Sequence, residues 1–196
     1  MLKPTRQRGF TLIELMVALV IGLVLMLGLT TFLINNIRSN SDTLKAIRLN
    51  QEMRATMMLM SRELRRAGYW ASTASATNPF QTMTTSTAGC VLYSYDRNAT
   101  ASATVPSDVQ YGFLRASGAV YMRSSGASYN CTPGANNVWE AVTDDNVTNI
   151  SALSFVPSSA SGTIAITLVG ELKNASEVKQ TLTETVKLEN GPLTFN

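Results

Sequence analysis

The sequence predicts an α+β fold in which one long amino-terminal helix, membrane-spanning in its first half and amphipathic in its second, packs on an antiparallel β-sheet head. Three observations carry this reading. Residues 10–34, FTLIELMVALVIGLVLMLGLTTFLI, hold a single charged side chain, Glu14. No proline lies between Pro4 and Pro79, so nothing forces a helix to stop before Gly68. From residue 69 onward Ser, Thr, Ala and Asn dominate, and short alternating runs replace the helical period. At 196 residues and 21.2 kDa the chain accommodates one core plus an extended element.

Residues 1–9 form a short basic segment. Lys3, Arg6 and Arg8 account for the whole formal charge of +3, because the other cations and the acids balance. A neutral remainder disfavours a general nucleic-acid binder. The absence of histidine removes the commonest general base and metal ligand, so the Ser-His-Asp, Cys-His and His-zinc classes are excluded. No phosphate-binding loop or catalytic constellation is present, and neither an enzyme nor a cofactor is expected.

Residues 10–34 as a helix span about 37 Å, more than the roughly 30 Å hydrocarbon core of a bilayer. A secretory signal has a similar order of parts, but its apolar region is shorter and ends in a small-residue site, whereas this run passes through Thr30, Thr31 and Phe32 without one. Glu14 is the unusual element. An acid in an apolar membrane helix costs free energy, so it either snorkels to water or meets a cation, such as an amino terminus exposed on a neighbouring chain. Gly22 and Gly28 do not form a GxxxG pair. Orientation is a tie on charge, with Lys3, Arg6 and Arg8 facing Arg38, Lys45 and Arg48 across the span.

Residues 35–68 continue the helix. Met53, Met57, Met60 and Leu64, with Leu44 and Ile47 before them, make an apolar stripe to cover the head. Arg48 with Glu52, and Glu63 with Arg66, lie one turn apart and are expected to pair.

Residues 69–196 form the head. Strands are expected at Val91–Tyr95, Val109–Leu114, Ala119–Arg123, Asn137–Val142, Leu153–Val156, Ile164–Val169 and Val178–Leu188, the last three as an antiparallel meander. Ala71–Gly89 and Ser124–Ala135 read as connections. Cys90 and Cys131 are the only cysteines, so they pair with each other in an oxidising compartment or stand as two buried thiols. Asp144-Asp145-Asn146 lacks calcium-loop spacing and reads as a turn. Tyr69 and Trp70 beside the basic Arg62–Arg66 run suggest helix-to-sheet packing before nucleic-acid stacking.

The octet Arg8-Gly9-Phe10-Thr11-Leu12-Ile13-Glu14-Leu15 closely resembles the class III signal of type IV pilins and type II secretion pseudopilins. The resemblance implies the type IV pilin fold. It also implies cleavage by the prepilin peptidase between Gly9 and Phe10, N-methylation of Phe10, and a subunit-docking role for Glu14. Partners implied are other minor and major pilins, the assembly platform and the inner membrane, with a leader in the cytoplasm and a head in the periplasm. The periplasmic placement favours a Cys90–Cys131 disulfide. Arg62–Trp70, Asn149–Phe155 and Thr185–Asn190 resemble PilW-type minor pilins and J-type pseudopilins, which points to a subunit that primes assembly at a filament tip. The J-type pseudopilin is the alternative. A tip DNA- or surface-binding module is another, with Tyr69, Trp70, Arg97, Arg115 and Arg123 as its candidate residues.

Overall fold

A computed structural model of the protein describes residues 9–72, 77–86 and 89–196. The basic residues Lys3, Arg6 and Arg8 lie outside the described residues. The chain divides into two compact units, with the boundary between Lys45 and Ala46.

The first unit is helical. Helix α1, Leu12–Arg66, begins here and extends into the second unit. It starts two residues later and ends two earlier than the expected 10–68, because Thr11 caps its start and Gly68 leaves it with φ +79°. Its large apolar side chains from Leu12 to Ile37 are all exposed. Two hydroxyls along it are satisfied within the helix: those of Thr30 and Thr31 donate to the carbonyls of Met26 and Gly28 at 2.7 and 2.8 Å. An apolar solvent offers no other partner, so this arrangement suits immersion in lipid.

Among the described residues the second unit holds the rest of α1 and nine strands: β1 Thr82–Ser86, β2 Cys90–Ser94, β3 Gln110–Ala116, β4 Ala119–Ser125, β5 Val138–Ala141, β6 Thr148–Ser158, β7 Thr163–Leu172, β8 Ala175–Lys187 and β9 Thr194–Phe195. They build a six-stranded sheet, order β5-β4-β3-β2-β1-β9, and a three-stranded sheet, order β6-β7-β8. All pairings are antiparallel except β1 with β9. The expected meander of the last three strands is present, its strands longer than the apolar runs that signalled them.

Two strands were not expected. β1 falls inside the Ala71–Gly89 connection, and β9 is two residues long. The run TMTTS has one apolar residue, Met83, and its extended form is imposed by β2 on one side and β9 on the other.

One stripe of α1 enters the core. Leu49, Met53, Met57, Met60 and Leu64 pack in one cluster with Val91, Tyr93, Phe113, Ile150, Ile164, Ile166 and Val186. Leu44 and Ile47 do not join it, being 66 % and 47 % exposed. Helical rotation places them off the face that Leu49 and Met53 define. Gly170 on β7 admits this packing, since a β-carbon there would lie 2.5 Å from the Met53 sulfur. A second, smaller cluster gathers Cys90, Leu92 and Leu114 with Tyr129, Cys131 and Trp139. Alternation along β2 divides its side chains between the two clusters.

Glu52 does not pair with Arg48 as spacing suggested. Its carboxylate accepts from the Asp144 backbone N–H and the Thr148 hydroxyl, tying α1 to the turn before β6. Asp144 in turn accepts from the Asn146 backbone and side-chain nitrogens, both at 2.9 Å, which closes the expected turn.

Candidate functional site

The sequence-based site residues lie in two places. At the start of α1, Gly9 has open space around it and Phe10 is 85 % exposed. Glu14 is not isolated. One carboxylate oxygen accepts from the Thr11 backbone N–H and hydroxyl, and the Thr11 hydroxyl accepts from the Glu14 backbone N–H, each at 3.3 Å. This is a capping box, with Thr11 as N-cap and Glu14 three residues on; both satisfy donors that a helix start leaves orphaned. The T-x-x-E spacing before an apolar run is the signal that reading Glu14 as a lone acid overlooked. An acid here also meets the positive end of the helix dipole.

At the other end, Ala67 and Gly68 leave the helix. The Gly68 N–H donates to Ser94 O at 2.9 Å, and the Asn190 side-chain amide donates to the carbonyls of Arg65, Arg66 and Ala67 at 3.2 to 3.3 Å. The last carbonyls of α1 are thus capped by a residue far away in sequence.

Beside this cap Glu63, 5 % exposed, accepts from Tyr95 Oη at 3.0 Å and pairs with Arg62 and Arg66 at 3.5 Å. The Arg66 guanidinium sits 4.4 Å from the centroid of the Tyr95 ring. Burial, and then the Glu63 charge, hold the Tyr95 phenol far above its ordinary range. Asp96 follows directly. Burial alone would raise its carboxyl, but hydrogen bonds from the Thr100, Ala101 and Ala71 backbone and the Thr100 hydroxyl outweigh that and hold it below the usual value.

Of the five residues proposed for a DNA- or surface-binding module, only Tyr69 and Arg97 come together. They line a cleft of about 390 Å³ with Arg65, Arg66, Tyr95, Asp96, Glu189 and Asn190. Trp70 spends its N–H on Ser102 O at 3.0 Å, and Arg115 donates to Ile150 O at 2.9 Å. Arg123 is 1 % exposed and faces no carboxylate. It donates to Asn137 Oδ1 at 2.9 Å and to the carbonyls of Gln110, Gly126 and Ser128, with the Tyr129 ring 5.3 Å away. The knot organises the Ser124–Ala135 connection that carries Cys131.

Cys90 and Cys131 form a disulfide, Cα–Cα 6.1 Å, inside the smaller cluster. Among the described residues no group of three His, Cys, Asp or Glu side chains is placed to hold a metal.

Comparison with known families gives two matches. Residues 4–30 match the prokaryotic N-terminal methylation motif, and residues 42–188 match prepilin peptidase-dependent protein B. No curated protein and no solved structure matches the chain. The first match covers the Gly9–Glu14 segment, and the second covers the packed half of α1 and the sheets through β8. With the apolar start of α1 they describe a membrane-anchored, pilin-type subunit with a class III signal, outside known enzyme families. The long helix packed on a mixed-sheet head is the type IV pilin arrangement, and the chain belongs to the prepilin peptidase-dependent protein B family.

Proposed function

We propose that the chain is a minor type IV pilin, a structural subunit that helps prime pilus assembly at the filament tip. The observation that carries this reading is the methylation motif joined to a head of the prepilin peptidase-dependent protein B type. The prepilin peptidase cuts between Gly9 and Phe10, and Phe10 is methylated on its new amino group. The exposed position of both residues supports access by the peptidase. Residues 10–34 hold the subunit in the inner membrane, residues 35–68 connect them to the head, and the head of residues 69–196 faces the periplasm, where Cys90 and Cys131 oxidise.

Glu14 works in two settings. In the single subunit it closes the capping box with Thr11. On assembly one carboxylate oxygen turns to the amino terminus of a neighbouring pilin, a cation that exists only after cleavage. Leu44 and Ile47, left out of the head's core, then find apolar partners on adjacent helices.

Amino-terminal sequencing and mass analysis of the protein from its native cells test the reading: the mature chain begins at N-methylated Phe10, whereas a chain beginning at Met1 rejects it. Asn149–Phe155 and Thr185–Asn190 also resemble the J-type pseudopilins, so a gene deletion separates the two roles. Loss of surface pili with secretion intact supports the minor pilin; loss of secretion with pili intact supports the pseudopilin.

A further inference from the structure

β8 is a thirteen-residue strand at the end of the three-stranded sheet, and among the described residues nothing pairs with its outer edge. Such an edge exposes a row of unpaired N–H and C=O groups. Beside it, Arg54, Met57, Met58, Ser61, Arg62 and Arg65 of α1 and Leu182, Thr183 and Glu184 of β8 line a cleft of about 590 Å³.

Three features of this cleft call for an occupant. Met58 is 71 % exposed and shares a helix face with the exposed Arg54, Arg62 and Arg65. Ser61 lines the cleft while only 5 % exposed, and its buried hydroxyl has no hydrogen-bond partner among the described residues. A buried hydroxyl left unpaired costs roughly 1–3 kcal/mol, so it marks a place where a partner atom belongs. The charge is also one-sided: Arg54, Arg62 and Arg65 face a single acid, Glu184. Arg62 has only a 3.5 Å contact with Glu63, Arg54 is bonded to the neutral Asn50, and Arg65 has no ion pair among the described residues.

We propose that the cleft between α1 and the free edge of β8 docks an extended acidic segment of a partner protein, which adds to the sheet as a fourth strand. Main-chain hydrogen bonds to β8 supply the register, and the alternate side chains that face α1 bring carboxylates to the arginines, while the apolar ones between them point to the opposite side of the sheet. A second copy of this chain is a poor occupant. Lys179 and Lys187 on β8 add to the three arginines, while only Glu177 and Glu184 oppose them, so two such edges repel.

The test uses the full chain in detergent micelles and fluorescent synthetic peptides read by anisotropy. The probes are an alternating glutamate-valine peptide, its lysine-valine counterpart, and the acidic peptide methylated on alternate backbone nitrogens along one edge. The acidic peptide is expected to bind at least about tenfold more tightly than the lysine peptide, and edge methylation to abolish binding. The double variant Arg62→Glu, Arg65→Glu, at two exposed positions, is expected to invert the preference. Equal binding of the two charge types, binding unaffected by edge methylation, or self-association through β8 without peptide overturns the proposal. None of these outcomes bears on cleavage at Gly9, so the pilin reading stands or falls separately.

Discussion

Gly68 turns the chain out of α1 at φ +79°, and a β-carbon there would lie 2.5 Å from Leu193 Cδ2 and 3.0 Å from Asn190 O. Conformation and space both require glycine. Gly68→Ala is expected to cost about 1–2 kcal/mol from the left-handed backbone alone, read as a lower urea midpoint of the detergent-solubilised chain. Asp96 makes a pH-dependent contribution. Its folded-state value is depressed, so its stabilisation is present above the unfolded carboxyl value of about 3.9 and is lost as pH falls through the folded value. Asp96→Asn is therefore expected to destabilise the head at neutral pH by about 1–3 kcal/mol. In a series of denaturant titrations the gap to the parent narrows below pH ~4; a gap constant with pH contradicts the assignment. Neither residue was singled out by sequence pattern for these roles, because Gly68 reads only as a stop signal and the partners of Asp96 are backbone groups brought round by the loop after β2.

At the scale of elements, α1 was the most legible part of the chain, since an apolar run, a missing proline and a four-three-four methionine spacing all point to it. Its cap was legible too, in Thr11 and Glu14, once the pair is read as one unit. That pairing allows the capping role of Glu14 to be separated from the proposed docking role. A glutamine at the third helical position can still close a capping box, so Glu14→Gln is expected to keep the helix start protected in amide exchange while removing the charge on which the proposed docking depends. Thr11→Val is expected to do the reverse, loosening the first turn by about 1 kcal/mol with filament incorporation retained. If Glu14→Gln assembled as well as the parent, the docking role would be lost. Strands β1 and β9 were illegible for a physical reason. Neither carries an alternating apolar pattern of its own, and each exists because its neighbour offers an unpaired edge. The exposure of Leu44 and Ile47 shows the complementary failure, where apolar spacing extends along a helix beyond the surface available to bury it.

At the scale of the whole molecule, the α+β plan and the final meander were readable from periodicity, while the division into a six-stranded and a three-stranded sheet was not, because strand order depends on contacts between distant segments. The connectivity of a disulfide followed from there being two cysteines, while its formation rested on the expected compartment; its setting in a second cluster, on side chains of β2 that point away from the helix-bearing core, was not readable. Closing a loop across a sequence separation of 41, the bond is expected to contribute about 3–4 kcal/mol in the chain-entropy model. Cys90→Ser with Cys131→Ser is expected to lower the unfolding free energy by that amount, read from denaturant titration, while leaving the sheet spectrum unchanged. Arg123→Met is expected to cost about 3 kcal/mol or more, because it strands several buried carbonyl acceptors at once.

The Arg123 knot has a bearing on fault tolerance. The segment between β4 and β5 is fastened twice, by a covalent bond that a reductant opens and by a guanidinium that no physiological pH discharges. Chemical insults that defeat one fastener leave the other in place. The loop therefore stays against its sheet under reducing or acidic conditions alike, and oxidation serves as a ratchet on an arrangement already made.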